Sequence, residues 1–235
     1  MNTLNHLAGL DWNAHGVLLD EMGYAVLPQI LSKVTCESLI LNYDQPAFFR
    51  KRVVMEKNDY GRGEYQYFRY PLPDLVADLR TELYRHLAPI ANRWHEWLNI
   101  DTRYPGNLSE FTAQCHAAGQ QRPTPLLLRY GPGDFNRLHR DLYGEVHFPL
   151  QVVFLLNQPG EDFQGGEFVL VEQKPRSQSK ATVVPLLQGS AVVFAVAECP
   201  RPGARGYRRL KLSHGVSQVH SGNRHTLGII FHDAT

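Results

Sequence analysis

Short apolar runs, each broken by Gly, Pro or Asn, dominate the chain after Pro125. They are rich in β-branched and aromatic residues, which favour strands. In chain order they are LLLRY, FPLQVVFLLN, GEFVLVEQ, ATVVPL, SAVVFAVA, YRRLKLS and RHTLGIIFH. Seven or eight strands at this near-regular spacing predict a sandwich, a barrel or a jelly roll.

The first 120 residues have a mostly helical pattern instead. Asp11 is placed to cap a short helix that Gly23 ends, and the strand-like YAVLPQ follows. Ser32 or Thr35 is placed to cap a second helix.

A longer helix is predicted from Asp74 onward, and a shorter one, SEFTAQCHAAG, is predicted to end at Gly119. Pro89 lies within the longer helix and is expected to kink or split it. Its apolar positions recur at helical spacing, at Leu75, Leu79, Leu83, Leu87, Ile90, Trp94 and Leu98.

The segment between residues 51 and 72 is rich in Arg and Tyr. Gly61 and Gly63 predict turns, and the alternation over residues 64–70 predicts a strand. Two interpretations are open. The segment is either an edge hairpin whose tyrosines cover the β core, or a lid that contacts substrate through Tyr65, Tyr67, Arg62 and Arg69.

Composition narrows the class of protein. Lys and Arg number 24 and Asp and Glu number 23, giving a net charge of +1. This balance argues against a protein that grips nucleic acid through its whole surface, although it permits a local basic patch. Cys36, Cys115 and Cys199 are far apart, which argues against a zinc site or a disulfide framework. With no targeting segment or membrane span evident, we expect an untargeted cytoplasmic protein without a membrane partner.

The segment LLLRYGPGDFNRLHRDLYGE contains two candidate metal ligands, His139 and Asp141. On an extended segment, side chains two residues apart leave the same face, so an imidazole and a carboxylate could bind one metal. His214 is the natural third ligand. Two histidines and one carboxylate leave three coordination positions free on Fe(II). The candidate ligands include no thiolate, which favours Fe(II) over a structural zinc ion.

Ten residues after His214, Arg224 begins the apolar strand HTLGIIF. Arg224 and Thr226 alternate onto one face of this strand. A guanidinium there can hold a carboxylate bidentately, and the threonine hydroxyl can add a hydrogen bond. A buried arginine needs such an anionic partner.

Three segments, RYGPGDFNRLHRD, LLNQPGEDFQGGEFVL and HGVSQVHSGNR, resemble the 2-oxoglutarate/Fe(II) dioxygenase superfamily, and especially its prolyl-hydroxylase-like branch. The resemblance spans roughly residues 125–235. It implies an α+β fold with a double-stranded β-helix (jelly roll) core over residues 121–235. Residues 1–120 would then be a mostly helical layer, with the hairpin at 51–72, within the same domain.

The resemblance also implies the site. Its HxD pair and later histidine bind iron, which assigns His139, Asp141 and His214. Its downstream arginine binds the distal carboxylate of 2-oxoglutarate, which assigns Arg224, with Thr226 and Tyr130 beside it. Some hydroxylases add a tyrosine where this chain has Leu155, so Thr226 is expected to do more of the holding.

The implied reaction is hydroxylation of an unactivated C–H bond with Fe(II), 2-oxoglutarate and O2, releasing succinate and CO2. The expected substrate is a protein side chain, an amino acid or a small metabolite. Repair of alkylated nucleic acid in the same fold is a second hypothesis. It ranks lower because residues 225–235 contain no second arginine, which the repair enzymes have. A non-catalytic cupin-type binding module is a third. The sequence does not indicate an oligomeric state.

Overall fold

The computed structural model describes residues 3–142, 144–173, 178–204 and 206–235. Within these ranges, two antiparallel sheets face each other and helices cover the outer face of one of them. No helix in the described residues is long and apolar enough to cross a lipid bilayer.

The described residues form the following helices and strands. The helices are α1 (Thr3–Ala8), α2 (Trp12–Met22), α3 (Lys33–Asn42), α4 (Asp74–Trp97) and α5 (Leu108–Ala117), with 3-10 turns at Pro46–Phe48 and Met55–Asn58. The strands are β1 (Tyr24–Leu27), β2 (Phe49–Val54), β3 (Gly61–Arg62), β4 (Glu64–Phe68), β5 (Leu126–Tyr130), β6 (Phe135–His139), β7 (Leu150–Leu155), β8 (Phe163–Gly165), β9 (Phe168–Gln173), β10 (Lys180–Val184), β11 (Ala191–Ala195), β12 (Glu198–Gly203), β13 (Gly206–Val216), β14 (Val219–Gly222) and β15 (Arg224–Ile229).

The two sheets form the double-stranded β-helix that the sequence predicts. The major sheet has the strand order β1-β11-β7-β15-β5-β4-β2, and the minor sheet has the order β10-β9-β13-β6-β3, with β12 paired to β13. Strands β8 and β14 form a separate ribbon. Apolar side chains from both sheets meet between them, among them Leu155, Phe168, Leu170 and Phe194.

The helix caps follow the sequence. The Asp11 side chain accepts a hydrogen bond from the amide of Ala14 at 3.0 Å, and Gly23 ends α2 in the left-handed conformation. Ser32, rather than Thr35, caps α3 by accepting from the Thr35 amide at 3.1 Å. The three cysteines are free and buried.

Helix α4 runs unbroken through Pro89, so the predicted split does not occur. The proline removes one backbone hydrogen bond, but the apolar side chains on either side of it are buried and hold the helix together. Ala88, Ile90 and Ala91 belong to the core that joins the helices to the outer face of the major sheet.

The number of strands after Pro125 was predicted too low. The described residues contain eleven strands there, β5 to β15. The runs missed are β6, which is polar and largely exposed, and β8, β12 and β14, which are short or broken by Pro and Gly. Periodicity does not detect such strands, because they lack an apolar face.

A buried ion pair fixes the chain end beyond β15 to α4. Arg80 is 2% exposed and donates to the carbonyls of Ile230 and Phe231 and, at 2.8 Å, to the Asp233 carboxylate. Tyr70 also donates to Asp233, at 2.8 Å. Because β15 passes directly into this segment, the pair helps to hold the strand that contains Arg224.

We predict that Asp233→Ala will lower the free energy of unfolding by about 3–5 kcal/mol, because it leaves the Arg80 charge buried without its counter-ion. The control is Glu82→Ala, which removes the carboxylate that pairs with the exposed Arg85 and should cost under about 1 kcal/mol. Chemical denaturation of both variants measures the difference. Equal costs would show that the Arg80–Asp233 pair does not hold the chain end.

Candidate metal and co-substrate site

Three candidate metal ligands lie together where β6 pairs with β13. His139 at the end of β6 is directly opposite His214 on β13. Asp141 follows two residues after His139, and its carboxylate oxygens lie 3.4 Å from His139 Nε2 and 3.5 Å from His214 Nε2. One ligand atom from each residue lies within 4.8 Å of the others. A single metal ion fits this spacing.

The protonation of this cluster suits metal binding. His139 Nδ1 donates to the Arg137 carbonyl at 2.7 Å, which leaves Nε2 as the free ligand atom. Burial lowers the pKa of His214, so its imidazole is neutral near pH 7. Removal from water would raise the pKa of Asp141. Hydrogen bonding from His214, electrostatic interaction with His214 and His139, and a contact with Gln151 outweigh that effect and lower the pKa to about 2. A neutral His214 beside an ionised Asp141 is the combination that a metal ion binds.

Arg224 provides a buried cation in the same cavity. It is 1% exposed, and its Nε and Nη1 have no hydrogen-bond partner among the described residues. Its guanidinium carbon lies 5.5 Å from the ring centre of Tyr130, which is directly opposite on β5. The Tyr130 hydroxyl is also buried and, apart from the neighbouring Asn136 amide, has no partner among the described residues. Burial lowers the pKa of Arg224 to about 10, so it stays charged at neutral pH. A carboxylate ligand would satisfy these donors.

The Gly-Gly pair before Glu167 makes room for Arg224. Gly166 has a φ of +65°, and a Cβ there would lie 2.8 Å from Val219 Cγ2 and 2.9 Å from Arg224 Cδ. A side chain at this position would displace the arginine. The Gly165–Gly166 pair therefore has a direct steric role in the site.

The three candidate metal ligands and Arg224 line one cavity of about 410 Å³. Thr226 lines it beside Arg224, and Tyr60, Tyr65 and Tyr67 form an aromatic wall. The rings of Tyr65 and Tyr67 meet edge to face, with their centres 5.3 Å apart. The cavity thus combines the three candidate metal ligands and a buried cation with an aromatic wall.

The segment at 51–72 combines features of both interpretations. Strands β2 and β4 extend the major sheet beyond β5, as an edge hairpin would. Tyr65 and Tyr67 line the cavity, as a lid would require. Arg62 and Arg69 do not line it, and the Arg62 side chain is 54% exposed, 4.0 Å from Asp134.

Other histidines and polar residues near the site separate into two groups. Gln151 lines the cavity, whereas His147 does not. His225 faces away and bonds to Asn157, and Leu155 is buried in the core between the sheets. Arg140 lies at the cavity edge, where it donates to Gln173 at 2.5 Å.

Sequence reasoning missed several residues of the cavity wall, among them Tyr60 and Asn136. Tyr60 lies in a turn and Asn136 in the polar strand β6, so neither belongs to an apolar pattern. The pairing of Gly61 with Asn136 places both at the cavity. Only the strand order would have revealed this.

Comparison with known proteins places the chain in a family. The family model Oxygenase-NA, described as "Oxygenase, catalysing oxidative methylation of damaged DNA", matches residues 63–234. Uncharacterised proteins from two strains of Mycobacterium tuberculosis are 44% identical over 190 residues, covering 79% of this chain and 82% of theirs.

Solved structures share the fold at low identity. A prolyl-4-hydroxylase from Pseudomonas putida has a TM-score of 0.56 at 14% identity, covering 95% of this chain and 99% of its own. A 2OG-Fe(II) oxygenase family protein from Burkholderia pseudomallei has a TM-score of 0.56 at 15% identity, covering 97% and 94%. These structures support the double-stranded β-helix and the prolyl-hydroxylase-like resemblance.

The matched model spans about three quarters of the chain and includes the metal cluster, Arg224 and the wall residues Tyr65 and Tyr67. The chain therefore belongs to the Oxygenase-NA family of 2-oxoglutarate-dependent oxygenases, enzymes that use Fe(II), 2-oxoglutarate and O2.

Proposed function

We propose that this enzyme removes an alkyl group from a damaged nucleobase by oxidising the C–H bond of the alkyl carbon. In this proposal His139, Asp141 and His214 hold Fe(II), and Arg224, Thr226 and Tyr130 hold 2-oxoglutarate. The observation that supports it most directly is the single cavity that joins the ligand cluster, the buried arginine and the aromatic wall.

The metal assignment rests on donor type and spacing. Two imidazole nitrogens and a carboxylate are the ligand set of non-haem Fe(II) oxygenases, which keep three positions for substrates. The hydrogen bond from His139 Nδ1 to the Arg137 carbonyl orients its ring. Phe194, whose ring centre lies 4.6 Å from that of His214, packs against the second imidazole and fixes its orientation.

The co-substrate assignment rests on the unpaired donors of Arg224. The guanidinium can hold the distal carboxylate, while the hydroxyls of Thr226 and Tyr130 add hydrogen bonds. The Arg224 side chain is held by Phe163, 6.0 Å from its guanidinium carbon, and by the close approach of Gly166. A co-substrate bound at this end of the cavity leaves the aromatic wall for the molecule to be oxidised.

Bound Fe(II) supplies the activation of O2, with one oxygen atom ending in succinate and the other in the substrate C–H bond. The protein's part is to bind, orient and exclude water. On an N-alkyl group the product is a hydroxyalkyl amine. It breaks into the free amine and an aldehyde, so oxidation achieves dealkylation.

The family match and the aromatic wall favour a nucleobase over a protein side chain. A flat base can stack on one of the two wall tyrosines and meet the edge of the other, and aromatic stacking tolerates any base. Arg137 lines the cavity and Arg62 lies on β3, which pairs with β6; their side chains are 57% and 54% exposed, beside Asp59 and Asp134, where phosphates could meet them. The family match over residues 63–234 therefore reverses the order that the missing second arginine had suggested.

Hydroxylation of a protein side chain, an amino acid or a small metabolite is the second candidate. Its support is the shared fold of the prolyl hydroxylases. A non-catalytic binding role falls away, because the family is one of oxygenases.

The ligand assignments predict a visible iron-to-keto-acid charge-transfer band when Fe(II) and 2-oxoglutarate are added without oxygen. His139→Ala should abolish the band, and Arg224→Ala should raise the 2-oxoglutarate concentration needed for it about 100-fold. His147→Ala, an exposed histidine outside the cavity, should leave it unchanged. A full band in His139→Ala would refute the metal assignment.

The glycine that faces Arg224 gives a second prediction. Gly166→Ala should raise the KM for 2-oxoglutarate roughly tenfold, because its Cβ would displace Arg224 from the carboxylate. Gly160→Ala is the matched control: its φ is +82°, so it adds similar backbone strain, but nothing lies within 4 Å of its Cβ. If both variants raise the KM equally, strain rather than the displacement of Arg224 explains the effect.

Substrate class is tested by succinate release. Single-stranded oligonucleotides with one alkylated base should stimulate succinate and aldehyde formation over the unmodified strand. Proline-containing peptides and free amino acids should not. Stimulation by the peptides alone would select the second candidate.

A further inference from the structure

Gln151 lies at the end of the cavity away from Arg224. It is 4% exposed on β7 and lines the cavity. In the register of β7 with β15, Leu155 is level with Thr226 and Val153 with Gly228, so Gln151 is level with Ile230. Six residues of extended strand separate Arg224 from Ile230, about 20 Å. The backbone of Gln151 therefore lies at the opposite end of β15 from Arg224.

The two ends of the Gln151 amide have different surroundings. The Gln151 amide lies close enough to Asp141 to help lower the pKa of that carboxyl, and an ionised carboxylate only accepts, so the NH2 end faces Asp141. The other end, Oε1, has no hydrogen-bond partner among the described residues. Contact with Asp141 thus fixes which way the amide points.

The strand partner of Gln151 and several residues that line its cavity are apolar or aromatic. Gln151 is directly opposite Phe194 on β11, and Ile230, Leu126 and Tyr67 line the cavity nearby. A buried acceptor in such surroundings is costly unless a donor meets it. Since Gln151 also bonds to a candidate metal ligand, a donor that meets Oε1 would lie close to the carbon being oxidised.

We propose that Gln151 is a specificity residue whose Oε1 accepts a hydrogen bond from a substrate N–H beside the oxidised carbon. The enzyme would then prefer an alkyl group on a nitrogen that keeps a hydrogen over one on oxygen. This inference rests on the proposed function and narrows its substrate class. An enzyme built to bond an N–H rejects the analogue that lacks it, because the acceptor is left unpaired.

The reaction on such a substrate balances. R–NH–CH3, O2 and 2-oxoglutarate give R–NH–CH2OH, succinate and CO2, with one oxygen atom in the new hydroxyl and one in succinate. The C–N bond then breaks, the hydroxyl proton moves to nitrogen, and formaldehyde leaves R–NH2. The hydrogen on nitrogen that Gln151 would recognise persists throughout.

The test uses two oligonucleotides that differ by one group, NH against O. One contains N6-methyladenine and the other O6-methylhypoxanthine, and both bases are uncharged. Binding is measured by fluorescence anisotropy with Mn(II) in place of Fe(II) and with 2-oxoglutarate present. Formaldehyde release is measured separately with Fe(II) and O2. The proteins are the wild type, Gln151→Leu and Gln66→Leu.

Wild type should favour N6-methyladenine about 10- to 100-fold in both measurements. Gln151→Leu should bring the two oligonucleotides to within about threefold of each other. Gln66→Leu makes the same chemical change outside the cavity lining and should keep the wild-type preference, since Gln66 donates to the Tyr43 carbonyl instead.

Two results would overturn the inference. If Gln151→Leu weakens both oligonucleotides equally and keeps their ratio, the residue only supports Asp141. If wild type neither binds nor oxidises either oligonucleotide while the charge-transfer band is intact, the nucleobase proposal itself fails, and this inference with it.

Discussion

The pairing of β6 with β13 is the constraint on which the candidate site depends. It sets His139 opposite His214 across two strands, and the chain then returns Asp141 to the same point. The register shifts just beyond His214, so β6 departs from regular pairing immediately next to the ligands. A bulge of this kind turns a side chain out of the regular alternation. The register of β6 against β13 thus brings the candidate ligands together, and the rest of the minor sheet holds these two strands in that register.

The second constraint is the burial of Arg224. A guanidinium that is 1% exposed and has unpaired nitrogens among the described residues makes the fold less stable than an apolar residue would. The surrounding packing tolerates this cost through Tyr130, Phe163 and the glycine at 166. Sites built for function are where such local conflicts with stability are expected. By contrast, Arg80 and Asp233 neutralise each other within the protein, so this buried pair stabilises the fold without a ligand.

Short sequence motifs made the candidate ligands predictable. The remaining features of the site and fold depend on strand pairing and burial between segments that are distant in the sequence. His139, Asp141 and Arg224 stand in short motifs with spacings that have a direct geometric meaning on a strand. Strand β6 could not be predicted from periodicity, because polar side chains interrupt it and it lines the cavity rather than an apolar core. The continuity of α4 through Pro89 depends on burial that its own sequence does not contain. The cavity wall at Tyr60 and the inward position of Gln151 follow from neighbours distant in the chain.

Because Tyr65 and Tyr67 of the aromatic wall belong to β4, this part of the cavity surface is a regular sheet rather than a loop. Side chains on a strand alternate, so inserting one residue before Tyr65 would turn both tyrosines outward and bring Gln66 inward, whereas inserting two would restore the pattern. Relatives with new substrates would therefore arise by exchange of side chains at fixed positions. Insertions and deletions would be confined to the turns. The side chains of the wall should change in type, while the same alternate positions of β4 continue to face the cavity.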